Sequence, residues 1–202
     1  MRSSRDFNVI LFDLGGVLLR LNNPVELFGL QMGDTEFKDR WLRSPSVRNL
    51  ERGRLSIEQF ARQIVIEAGL PYDWQEFLRR FDAWPGTLFD NTIGLLDAIP
   101  ATFSRALLSN INEKHWQRES VAGLLAGRFD HTFLSFETGL VKPDREAFER
   151  VTETFACSPG DVLFFDDSPL CVSAAAGLGM QAVLATGLDT VEETLTERGV
   201  FD

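Results

Sequence analysis

Short, uninterrupted apolar runs punctuate the chain at 9–12, 106–108, 132–134 and 162–165, with a fifth at 182–185, and each is bounded by polar or turn residues. Runs this brief, without polar alternation, fit strands buried on both faces. Between the later runs lie helical signals: Pro143 stands at a first-turn position, and Ala147, Phe148, Val151 and Phe155 then share one face. Strand alternating with helix predicts an α/β fold with a parallel sheet covered on both sides.

The stretch 21–89 breaks this rhythm, offering helix signals and no convincing strand. Ser56 and Gln59 have capping-box spacing, Phe60, Ile64 and Ala68 recur every four residues, and Gly69 and Pro71 end the helix. Asp73 and Glu76 repeat the capping-box spacing ahead of Phe77 and Phe81. An all-helical insertion is expected at 21–89, with 1–20 and 90–202 forming the core. Because it follows the first strand, it would sit at the carboxyl edge of the sheet, where open α/β folds bind ligands, and be placed to act as a lid.

Composition narrows the partners. At 202 residues the chain has room for a core and one insertion. Its 44% hydrophobic and 25% charged residues are ordinary globular values, so disorder is expected in no more than the first few residues. A formal net charge of -10 argues against a nucleic-acid partner, since such binding draws on clustered Lys and Arg. The apolar run that follows Arg2 and Arg5 is too short for a signal peptide or a membrane span, which leads to the expectation of a cytoplasmic location and no membrane partner. Cys157 and Cys171 are expected as free thiols. Only two histidines, His115 and His131, with no close Cys/His spacing, argue against structural zinc. A bound metal would be a hard cation held by carboxylates.

Acidic and hydroxyl residues stand where three of the runs end: Asp13 after Val-Ile-Leu-Phe, Ser109 after Ala-Leu-Leu, and Asp166 and Asp167 after Val-Leu-Phe-Phe. A single such Asp is an ordinary turn or cap residue. A doubly wound sheet, however, brings these ends together, and like charges a few ångströms apart raise each other's proton affinity unless a cation lies between them. The three aspartates imply magnesium, for which one or two carboxylates, a backbone carbonyl and a substrate oxygen suffice.

Four segments carry a resemblance: Leu-Phe-Asp-Leu-Gly-Gly-Val-Leu at 11–18, Leu-Leu-Ser-Asn at 107–110, Gly-Leu-Val-Lys-Pro-Asp at 139–144 and Phe-Phe-Asp-Asp-Ser at 164–168. In this order they resemble the four motifs of the haloacid dehalogenase-like superfamily of phosphohydrolases, and the resemblance spans nearly the whole chain. It implies a Rossmann-like doubly wound core with a helical cap, magnesium as cofactor and a small-molecule phosphate ester as substrate. Asp13 resembles the nucleophile, which attacks phosphorus and becomes a phospho-aspartate. Asp13 and Asp167 resemble the magnesium ligands, with Gly15 lending its backbone carbonyl and Asp166 supporting the metal or its waters. Ser109 and the backbone of Asn110 resemble the phosphate-holding pair, and Lys142 resembles the lysine that neutralises phosphate and Asp13 together. Such a lysine answers a physical need, because a carboxylate approaching a phosphate dianion meets repulsion that something cationic must offset.

The chain departs from that pattern at Gly15, where most phosphatases of the superfamily carry a second aspartate as general acid and base, a role worth about 10² to 10⁴ in rate. The Asp-Leu-Gly-Gly-Val form is similar to branches that include a bacterial glucose-1-phosphate phosphatase and the N-terminal phosphatase of epoxide hydrolases. Three outcomes compete. The first is a phosphatase in which another group, a water or a good leaving group covers the loss. The second is a 2-haloacid dehalogenase, which uses no magnesium and leaves the doubled Asp166 and Asp167 without a purpose. The third is a catalytically quiet protein that binds a phosphate or a partner. Cys171, standing where relatives carry Asp or Asn, is expected to pack as a small apolar residue. His115 is expected at the surface beside a packing Trp116, with a weaker case for standing in as the acid-base group. Arg43, Ser44, Arg48, Glu51 and Arg52 are available to a substrate from the cap, and none is assigned. The expected function is a magnesium-dependent hydrolase of a small phosphorylated metabolite, such as a sugar phosphate.

Overall fold

The computed structural model describes residues 7–201; the N-terminal arginines and the disorder expected there lie outside them. Strand β1 (Val9–Phe12) is followed closely by β2 (Leu19–Leu21). Five helices come next: α1 (Pro24–Phe28), α2 (Asp34–Arg43), α3 (Pro45–Glu51), α4 (Ile57–Glu67) and α5 (Trp74–Asp82). Strand β3 (Pro85–Leu88) and helix α6 (Thr92–Ala98) lead to β4 (Ser104–Ser109), α7 (Glu113–Trp116), β5 (His131–Leu134), α8 (Ser135–Thr138) and α9 (Arg145–Phe155). The fold ends with β6 (Val162–Asp166), α10 (Pro169–Gly177), β7 (Gln181–Leu184) and α11 (Leu188–Glu197).

All five apolar runs form strands of one parallel sheet, ordered β5-β4-β1-β6-β7. With β1 at its centre, side chains alternate between two cores. Ile10 and Phe12 join Leu107, Leu163 and Phe165 on one face, while Val9 and Leu11 join Ala106, Leu108 and Phe164 on the other. Burial on both faces of β1 and β6 explains why their runs lack polar alternation, while the edge strands β5 and β7 are partly exposed. The chain passes from β1 to β4 and β5 on one side, then returns to β6 and β7 on the other, so a crevice opens at the carboxyl ends around β1.

Helices α1 to α5 gather around an aromatic cluster of their own: Phe28, Phe37, Phe60, Phe77 and Phe81, with Trp41 and Trp84 packed against them. Trp41 and Trp84 meet edge to face with ring centroids 4.6 Å apart. Helix α4 begins with the expected reciprocal capping box between Ser56 and Gln59 and ends at Gly69 in the left-handed region at φ +61°. Asp73 accepts the Glu76 N–H, but the Glu76 carboxylate turns to Arg79 and Arg80, so only half of the second box forms.

Two expectations need correction. The stretch 21–89 is not wholly helical, because β3 pairs antiparallel with β2. Pro-Gly-Thr-Leu carries no strand signal; Gly86 fits there because a Cβ would stand 2.9 Å from the Arg20 carbonyl oxygen, a close approach that only glycine allows. Pro143 lies outside the first turn of α9, since Asp144 is the N-cap, and the Lys142–Pro143 peptide is cis. Cys157 and Cys171 are free. Among the described residues no helix is long and apolar enough to cross a membrane.

Candidate active site

The register that places Phe12 opposite Phe165 continues one step further: the Asp13 N–H donates to the Phe165 carbonyl at 2.8 Å. Asp13 thereby leaves β1 beside Asp166, which ends β6, and Asp167 follows at once. Carboxylate oxygens of Asp13, Asp166 and Asp167 lie within 4.8 Å of one another. Lys142 arrives from the loop before α9 and bridges two of them, with Nζ 2.8 Å from Asp13 Oδ1 and 2.6 Å from Asp166 Oδ2. Asn110, just past β4, fixes that loop by accepting the Lys142 N–H at 2.8 Å and donating to the Lys142 carbonyl at 2.9 Å. The second Asp166 oxygen accepts the Ser168 N–H at 2.8 Å. Gly16 adopts φ +79°, and a Cβ there would fall 2.6 Å from Asp167 Oδ2, so the turn after β1 must be bare for Asp167 to come in.

The cluster is buried and short of positive charge. Burial, opposed by Lys142 and reinforced by Asp166 and Asp167, holds the Asp13 carboxyl well above the usual carboxylate range. Burial raises Asp166 as well, again against Lys142. For Lys142, burial acts to lower the ammonium, but Asp13 and Asp166 outweigh it and hold the ammonium up, so it stays charged. Three hard oxygen donors converging here, with the proton affinities of Asp13 and Asp166 raised, form a set that fits a divalent cation such as magnesium.

Helices of the insertion close over this edge. Lys38 on α2 places Nζ 2.5 Å from Asp167 Oδ2. Arg48 on α3 and Arg52 just past its end both reach Asp144 Oδ2 at 2.6 Å. Gly53, at φ +68°, lets the chain press on the core where a Cβ would stand 2.7 Å from the Phe136 carbonyl oxygen. The cleft between these helices and the sheet edge is partly open, measures about 600 Å³ and is lined by Asp13, Gly15, Lys38, Glu51, Lys142 and Asp167, among others. A chamber of about 100 Å³ adjoins it beside Gly15, bordered by Glu51, Ser109, Trp84 and His115.

Of the residues singled out in the sequence, Asp13, Lys142, Asp166 and Asp167 converge, and Gly15 and Asn110 line the cleft. Ser109 is buried at the end of β4 and borders the smaller chamber. Cys171 is buried with the apolar cluster that holds Phe164 and Ala175, and burial pushes its thiol up. His115 is a correction: it is buried rather than at the surface, because Phe81 of α5 packs on its ring at 4.4 Å. Burial, aided by Arg118, lowers the imidazole to about 4, which keeps it neutral. Nothing in the chain marks Lys38, an ordinary amphipathic-helix lysine until the fold brings it to Asp167. Glu51 stood among the unassigned cap residues, and its burial at the cleft singles it out.

A parallel sheet wound around a central strand, with carboxylates converging at its edge and helices folded over them, defines a Rossmann-like α/β hydrolase. The chain belongs to the haloacid dehalogenase-like hydrolases, whose family model matches residues 7–179. It is similar to a D-ribitol-5-phosphate phosphatase from Bacteroides thetaiotaomicron, 27% identical over an alignment of 186 positions, which covers 85% of this chain and 88% of that one. Its fold matches a haloacid dehalogenase-like family hydrolase from Porphyromonas gingivalis at TM-score 0.73 and 23% identity, covering 95% of this chain and 97% of that one. A haloacid dehalogenase family enzyme from Bacteroides thetaiotaomicron, solved with magnesium and inorganic phosphate, matches at TM-score 0.65 and 24% identity over 88% and 93% of the two chains.

Proposed function

We propose that this protein is a magnesium-dependent phosphomonoesterase for a small phosphorylated metabolite of the sugar or polyol phosphate kind, with 21–89 acting as a cap over a core formed by 1–20 and 90–202. The observation that carries this reading is the position of Asp13, buried against Lys142 on one side and facing Asp166 and Asp167 on the other. The phosphatase named among the relatives and the magnesium and phosphate bound to a protein of like fold support it.

In this reading Asp13 is the nucleophile. Its carboxylate oxygen attacks phosphorus in line, and an aspartyl-phosphate forms. Lys142 offsets the repulsion between that carboxylate and the phosphate oxygens. The Ser109 hydroxyl and the backbone of Asn110 donate to non-bridging oxygens. Asp13, Asp167 and the Gly15 carbonyl would hold magnesium, with Asp166 supporting them; when bound, the metal supplies positive charge opposite the phosphate oxygens.

The test is phosphate release from p-nitrophenyl phosphate and from a panel of phosphometabolites, with and without magnesium. Turnover should require the metal, vanish in Asp13→Asn and be blocked by a beryllium fluoride complex on Asp13. Silence on every ester, or chelator-insensitive turnover of 2-haloacids, would overturn the proposal.

A further inference from the structure

Cleavage of an alkyl phosphate expels an oxygen that needs a proton, and the residue two past Asp13 is Gly15, which has none to give. Lys142 bridges Asp13 and Asp166, and Asp167 takes Lys38; of the unpartnered groups beside Gly15, His115, whose Nε2 is free among the described residues, is held neutral by burial, and the Trp84 indole does not titrate. Glu51 differs. It ends α3, is 7% exposed, lines both the cleft and the chamber beside Gly15, and its Oε2 has no hydrogen-bond partner among the described residues. We propose that Glu51, delivered by the cap, is the proton-transfer residue of this site, acting across the space that Gly15 leaves open. The proposal rests on the phosphatase reading above.

Helix α3, which ends in Glu51, is tied to the core on both sides of that residue. Arg48 and Arg52 hold Asp144, two residues from Lys142, and Gly53 seats the chain on the Phe136 carbonyl. An orphaned carboxyl oxygen in a buried position is costly unless the group is protonated or meets a partner that arrives later. Burial pushes Glu51 up to about 7, against the pull of Lys142, a hydrogen bond from Trp41 and the charge of Arg48, with Asp13 adding to the rise. The groups facing it are therefore Lys142 and Asp13 from the core, Trp41 from α2 and Arg48 from its own helix, with neutral His115 across the chamber. A carboxyl balanced near neutrality both gives and takes a proton efficiently.

The two half-reactions then balance. An Asp13 oxygen bonds to phosphorus while the bond from phosphorus to the ester oxygen breaks, and the Glu51 proton passes to that oxygen to release a neutral alcohol. Next, the Glu51 carboxylate takes a proton from water as the water oxygen bonds to phosphorus. The bond from phosphorus to Asp13 breaks, its electron pair returns to the carboxylate, and inorganic phosphate leaves. Glu51 ends protonated, as it began.

The experiment compares wild type, Glu51→Gln and the double variant Glu51→Gln with Gly15→Asp. Two esters are used: p-nitrophenyl phosphate, whose leaving group departs without help, and the alkyl phosphate that wild type turns over fastest. Glu51→Gln should lower turnover of the alkyl ester by about 10² to 10⁴. It should also keep a burst of p-nitrophenolate within about tenfold of wild type, accumulate phospho-Asp13 and remove a limb of the pH-rate profile. Gly15→Asp should restore at least about tenfold of the alkyl-ester loss by returning an acid to the same space. The structure permits that residue, since a Cβ on Gly15 meets only the tip of Leu21, at 3.2 Å. A p-nitrophenolate burst slowed as much as first-turnover cleavage of the alkyl ester, an unchanged pH profile or failure of the rescue overturns the role of Glu51. If Glu51→Gln does not fold, Glu51→Asp must retain the pH-rate limb, and its absence overturns the proposal equally. Wild type active and Glu51→Gln unimpaired sinks Glu51 alone; wild type silent on every ester sinks the phosphatase reading and this proposal with it.

Discussion

Lys38 and Asp167 lie 129 residues apart along the chain and 2.5 Å apart in space, so a helix of the insertion places its cation on the carboxylate cluster at the sheet edge. The Lys38 side chain is 42% exposed, which puts the pair in the screened range of about 0.2 to 1 kcal/mol. Lys38 competes with magnesium for Asp167, so Lys38→Met should tighten magnesium binding by about 1.5- to 5-fold. Titration calorimetry with the metal alone reads this directly, and weaker binding in the variant would contradict it.

Lys142 sits in a different regime. It is buried between Asp13 and Asp166, and its removal leaves two buried carboxylates without their cation. Lys142→Met should destabilise the fold by about 3 to 5 kcal/mol in denaturant unfolding and abolish turnover. Adding Asp166→Asn should return part of the stability and none of the activity, a non-additivity expected of groups in one network.

Asp144 holds both arginines of α3 and is partly exposed. Asp144→Asn should cost about 1 kcal/mol of global stability, with a larger local effect. Amide hydrogen exchange across 45–53 should quicken while exchange in β1 and β6 stays slow. Uniform acceleration over the whole chain would show that α3 is not held as a local unit.

His115 gives a pH signature of definite sign. The folded state lowers it to about 4 by burial and Arg118, whereas the unfolded chain titrates near the ordinary 6.5. Between these values the unfolded state binds more protons, so the contribution of His115 to stability is full above about 6.5 and is lost as pH falls toward 4. Asp13, Asp166 and Glu51 are raised and slope the other way, so the readout is the difference between wild type and His115→Gln. Unfolding free energies from pH 7 down to pH 4 should fall more steeply in wild type, by up to about 3 kcal/mol in total.

Much of this arrangement was legible in the chain because it depends on short-range patterns. Strands buried on both faces show as bare apolar runs, and the acidic residues that end them mark the site. Strand β3 stayed hidden because Pro85 and Gly86 oppose the usual propensity and only the approach of Arg20 makes sense of them. His115 read as a surface residue because nothing near it in sequence forecasts Phe81. Glu51, between Arg48 and Arg52, stayed unassigned among the polar residues of the insertion; the arginines that flank it reach Asp144, more than ninety positions away. Local chemistry survives in sequence, whereas the closing of one segment on another is written in pairs too distant to recognise.

The edge-to-face pair of Trp41 and Trp84 has an optical consequence. Two indoles 4.6 Å apart share their excited states, and both border the cleft beneath the insertion. Their joint signal in circular dichroism is a built-in gauge of how the aromatic cluster of α1 to α5 is packed beside the cleft. The protein thus reports on one wall of its own site without a label, in the absence of any turnover.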